Sequence, residues 1–114
     1  MDKKLVETLT ENAVIAGLAT RKHPTKIISE VALAVMECLD STGAIELDAV
    51  LGFDKITEIA DKYHLPSKAL VLSLVKGGLY TMADGGLSPT DKAKSAIESL
   101  KEPTVRNVLM ELLA

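Results

Sequence analysis

Three groups of side chains in this chain have types and spacings that could do chemistry. Glu30 and Glu37 stand seven residues apart in "KIISEVALAVMECLDS", so a helix there puts both on one face, where they could form a carboxylate pair. They also share a narrow polar stripe with Ser29 and Asp40, and solvation of that stripe accounts for them without chemistry. His23 and His64 are the two imidazoles, far apart in sequence and each beside a proline turn. The third group is cationic: Lys68, Ser73 and Lys76 in "SKALVLSLVK", and Arg21, Lys22, His23 and Lys26 around "TRKHPTK". Lysines and hydroxyls can hold phosphate oxygens, but none of the three residues in "SKALVLSLVK" offers the bidentate fork that reads a base edge.

Nucleophilic and metal chemistry find little support. Cys38 is the only cysteine, which excludes an intramolecular disulfide and a zinc site built from cysteines. Within "ALAVMECL" it reads as a small buried hydrophobe. No HExxH, GxSxG or glycine-rich phosphate loop occurs, and Gly77-Gly78 and Gly85-Gly86 read as turn glycines. The expectation is a protein that is not an enzyme and takes no cofactor and no metal.

Composition narrows the partners. A formal net charge of −3, from 13 basic and 16 acidic residues, argues against a coat for nucleic acid and leaves room only for a local basic patch. Phe53, Tyr63 and Tyr80 are the only rings, a poor stacking platform for single strands. With 114 residues, one domain is expected over 1–114, large enough to bury a core unaided. No apolar run reaches the roughly 18 residues a membrane span needs, and "MDKKLVETLTEN" lacks a signal-peptide core. A cytoplasmic location is expected.

The elements that must position these groups follow from periodicity and punctuation. Residues 3–19 place Leu5, Leu9, Ala13 and Ala16 at helical spacing, loosening near Gly17. Pro24 breaks this helix, and Thr25 can cap the next. Residues 26–41 are apolar over most of the wheel and so form the central helix, with Gly43 as its C-cap. "AIEL", 44–47, alternates as a short strand, and "DAVLGF" fits helix or loop. Asp54 caps "KITEIADKY", and "HLPS" is a turn whose Ser67 caps "KALVLSLVK". "LYTM" and "GLS" are strand-sized pieces around an Asp84-Gly85 turn signal. Ser88-Pro89-Thr90-Asp91 opens a helix to about Leu100. After Pro103, Val105, Val108, Leu109 and Leu112 repeat at helical spacing. The fold class is mainly α with a small antiparallel β-hairpin, to which "AIEL" could add a third strand.

That order resembles the winged helix-turn-helix superfamily, in particular the small MarR-like and PadR-like regulators, over residues 27–100. "ITEIADKYHLPSKALVLSLV" looks like the helix-turn-helix, with Ile59-Ala60 inside its first helix, Leu65 in the turn, and Leu70 and Leu74 inside the second. "GLYTMADGGLSPTDKAK" looks like the wing, with Gly78, Leu79, Tyr80, Gly85, Leu87, Ser88 and Pro89 filling the family's places. The chain departs in two ways. Leu65 to Gly78 is shorter by roughly one helical turn, and Asp91 stands near the usual place of a glycine.

The resemblance implies a winged helix with additional N- and C-terminal helices, acting as a transcriptional regulator on duplex DNA. Lys68, Ser73 and Lys76 would face the groove, and Arg21, Lys22, Lys26 and Lys62 the DNA backbone. The flanking helices, 1–22 and 103–114, would make a homodimer, although their stripes could equally pack on their own domain. An apolar pocket between the central and terminal helices could hold a small hydrophobic molecule. The alternative is a winged-helix module for protein–protein contact that binds no nucleic acid, its partner at the face carrying Leu72. The wing tip, with Ala83, Asp84 and two glycines, carries no cation. Six lysines against five acids between Asp54 and Lys94 leave that segment at only +1.

Overall fold

The most apolar segment of the sequence becomes the axis of the molecule. A computed structural model describes residues 3–18, 20–43, 46–83 and 86–113. In it α2, Pro24–Thr42, buries Ile27, Ile28, Val31, Ala32, Ala34, Val35 and Cys38. Around it lie α1 (Lys3–Ile15), α3 (Leu47–Leu51), α4 (Asp54–Tyr63), α5 (Ser67–Lys76), α6 (Asp91–Lys101) and α7 (Pro103–Leu113), each in contact with α2. The expectation of a central helix holds because so wide an apolar face can be covered only from several sides.

The helix starts differ from expectation by a residue or two, for local reasons. α2 begins at Pro24 with His23 as N-cap, because the ring fixes φ at a helical value and lacks the N–H that the first turn could not satisfy. Thr25 is therefore inside the helix and buried, its hydroxyl 3.4 Å from that of Thr10 on α1. Likewise Phe53 caps α4 and Pro66 caps α5, placing Asp54 and Ser67 within the helices they were expected to precede. At α6 the cap is Thr90: its hydroxyl accepts from the Ala93 N–H at 3.1 Å and lies 2.7 Å from the Gly78 carbonyl. Ser88 and Pro89 are still strand. Gly43 ends α2 in the left-handed region at φ 67, its N–H bonded to Leu39.

The hairpin is the small antiparallel element the sequence implies. Strand β1 (Tyr80–Ala83) pairs with β2 (Gly86–Pro89) in the register Tyr80–Pro89, Thr81–Ser88, Met82–Leu87, Ala83–Gly86. The Asp84-Gly85 turn lies outside the described residues, as do Ala44 and Ile45. Of the expected strand 44–47, Glu46 makes a single antiparallel bridge to Gly86, and Leu47 already opens α3. Gly78, at φ 82, supplies the left-handed step that turns α5 into β1.

Tyr80 ties this hairpin to the axis. Its ring is buried, and its hydroxyl donates to the Ala32 carbonyl of α2 at 3.1 Å. Burial, with the Asp40 charge adding to it, pushes the phenol well above its usual pKa, so it remains a neutral donor.

Candidate nucleic-acid interface

Helix α5 turns Leu70, Val71 and Leu74 into the core, as its apolar spacing requires. Lys68, Ala69 and Lys76 are exposed and Leu72 is half-buried. Ser73 is not where the wheel placed it. Its side chain is buried, and its hydroxyl donates back to the Leu70 carbonyl at 2.6 Å.

Helix α1 is among the elements that pack against α5. Gly77 follows Ser73 by one turn, and a Cβ at Gly77 would overlap the side-chain amide of Asn12. Neighbouring elements thus cover a strip of α5 that a lone helical wheel leaves outside, and the burial of Ser73 removes it from the set of groove-facing residues. Two small residues four apart, Ser73 and Gly77, are the sequence signal for such a close approach. Asn12 itself is fully buried. Its Nδ2 donates to the Thr8 carbonyl at 2.8 Å, while its Oδ1 has no hydrogen-bond partner among the described residues.

The remaining basic residues divide by whether they have a partner. Lys62 lies 3.6 Å from a Glu30 carboxylate oxygen, with its ammonium 5.0 Å from the centre of the Tyr63 ring. The Tyr63 oxygen and then the Glu30 charge raise its pKa above the usual lysine value. The Tyr63 hydroxyl donates to Glu30 at 2.7 Å; burial first, then this carboxylate, holds the phenol proton on. Lys62 is therefore engaged with α2. Lys55 grips both oxygens of Glu37 at 2.6 and 2.7 Å, so Glu30 and Glu37 take separate partners and form no carboxylate pair.

Lys92 pairs with Glu11, and Lys101 with Asp40 and Glu98. Lys68, Lys76, Arg21, Lys22 and Lys26, by contrast, make no ion pair among the described residues, nor do Lys3, Lys94 and Arg106 elsewhere. The residue after Lys76 and one residue of the Arg21–Lys26 segment both touch the second half of α1. Lys76 precedes Gly77, which abuts Asn12, while Thr25 of the Arg21–Lys26 segment abuts Thr10. Arg21 and Lys22 are exposed; His23 and Lys26 are half-buried.

The hairpin contributes no cation. Thr81 and Ser88 place their hydroxyls 3.1 Å apart on one face, and Met82, paired with Leu87 on the opposite face, is 43% exposed. His64 caps α4 in the left-handed region at φ 55, a turn residue with no relation to His23. The opening between α2 and α7 is also unlike the apolar pocket expected there. It is walled by α4 and rimmed by charged side chains. No protein-family model, curated protein or solved structure matches the chain.

Proposed function

We propose that the chain is a small winged-helix DNA-binding protein, a transcriptional regulator that holds duplex DNA chiefly by its phosphates. The observation that carries this reading is the state of Lys68 and Lys76, exposed on the outer edge of α5 with no carboxylate partner among the described residues. The order α2, α4, turn, α5, hairpin supports it, as does Glu46, which gives the hairpin a third backbone neighbour. Arg21, Lys22 and Lys26 extend the cationic surface toward the phosphate backbone. With Ser73 buried and no arginine, asparagine or glutamine on α5, attachment is electrostatic and discriminates weakly between sequences.

A homodimer fits this role. Because α1 spends Leu5, Leu9 and Ala13 on its own core, the dimer contact would fall to α7 and the end of α1, where Val108, Val14 and Ile15 are exposed. Light scattering coupled to size exclusion reads that mass directly.

The decisive measurement is fluorescence anisotropy on a random-sequence duplex over a salt series. Binding at low salt that weakens steeply as salt rises is expected. Absence of binding at the lowest salt removes the reading. It would leave the second one, a winged-helix module for a protein partner. Two apolar side chains with accessible surface, Met82 on the hairpin and Leu72 on α5, favour that alternative.

A further inference from the structure

Of the charged residues that line the groove between α2, α4 and α7, all but two make ion pairs. Two adjoining openings, of about 300 Å³ and about 480 Å³, share Leu33, Glu37, Lys55 and Arg106 and form one groove. Along it Glu30 pairs with Lys62, Glu37 with Lys55 and Asp40 with Lys101. That leaves Glu58 on α4 and Arg106 on α7, both exposed and both lining the first opening. Neither makes an ion pair with the other or with any other described residue. The same opening has an apolar floor of Leu33, Ala34 and Ile59.

One anionic acceptor, one forked cation and an aliphatic floor within a single opening are complementary to a ligand carrying both charges on a small apolar body. We propose that this groove binds a free aliphatic α-amino acid. Its carboxylate lies on the Arg106 guanidinium, whose planar fork matches two carboxylate oxygens. Its ammonium lies on Glu58, and its side chain covers Leu33, Ala34 and Ile59. The three ion pairs engage the other charged groups that line the groove, so a ligand with only one of the two groups would leave either Glu58 or Arg106 without a partner. This inference is independent of whether the chain binds DNA.

The test is a titration of the full-length chain with L-leucine, followed by amide proton–nitrogen correlation spectra. Isocaproate, which lacks the ammonium, and isoamylamine, which lacks the carboxylate, serve as controls. Saturable shifts confined to Leu33, Ala34, Ile59 and the start of α7 are expected with L-leucine. Each one-charge analogue should bind at least about tenfold more weakly. Arg106→Gln and Glu58→Gln should each weaken L-leucine by about the same factor while leaving the unliganded spectrum in place. Either of two results overturns the proposal: no saturable shift with L-leucine at millimolar concentration, or shifts of equal strength with an analogue. The analogue series needs only the unaltered chain, so it decides even if a variant misfolds.

Discussion

The seam between α2 and α4 and the outer edge of α5 put the same residue type to opposite uses. In the seam, Lys55 and Lys62 close on Glu37 and Glu30, and Tyr63 adds a hydroxyl bond to the same Glu30. On α5, Lys68 and Lys76 meet no carboxylate among the described residues. Acids placed at a heptad spacing on α2 absorb the cations of α4, whereas α5 faces α1 and β1 with Ser73 and Gly77 and leaves its lysines outside. A lysine count over the whole segment, at net +1, conceals this division. The acids of α2 decide which of these four lysines remain available to a partner.

The largest expected effect comes from breaking the packing that shapes α5. Gly77→Ala would drive a methyl into the Asn12 amide and cost about 1–3 kcal/mol by overpacking, read by urea unfolding. Adding Asn12→Ala should recover part of the loss, since the two residues touch. Next, if the division of lysines is correct, Lys68→Ala with Lys76→Ala should lower the salt dependence of duplex binding by about one unit of log–log slope per residue. Lys55→Gln with Lys62→Gln should leave that slope unchanged.

The two tyrosines sharpen the contrast between core and seam. Each has a folded pKa raised above its unfolded value. The stability they contribute is complete below about pH 10 and is lost as pH climbs through the folded pKa. Thermal melts should therefore fall at strongly alkaline pH, and Tyr80→Phe should flatten that fall more than Tyr63→Phe, because Tyr80 is the more deeply buried. At neutral pH, Tyr63→Phe should cost about 1 kcal/mol, the net worth of one hydrogen bond to a charged group partly open to water. The smallest effect belongs to Lys55→Gln, below about 1 kcal/mol despite its short contact, because the pair is solvated. Urea midpoints at fixed pH check both.

What the sequence discloses is what local periodicity controls. The apolar circumference of residues 26–41, the inward Leu70, Val71 and Leu74, and the glycine-bracketed hairpin could all be read in advance, because each depends on its own neighbours. Helix starts lie a residue or two from the expected caps: at Pro24 the ring itself suits the first turn, whereas Phe53 and Pro66 cap without a side-chain hydrogen bond. Ser73 could not be placed from α5 alone, since its burial depends on elements packed against that helix from elsewhere in the chain. The partners of Glu30 and Glu37 were hidden for the same reason. A heptad shows that two acids share a face but not which cations another helix brings to them.

One hydrogen bond described above has a wider mechanical meaning. Tyr80 meets α2 at Ala32, near the middle of that helix, and the next two residues, Leu33 and Ala34, line the groove beneath α7. The root of the hairpin and the floor of the groove are thus mounted back to back on a single helical turn. Any rotation of that turn is felt on both sides at once, so a molecule lodged under α7 and a surface pressed against the hairpin would share one rigid support.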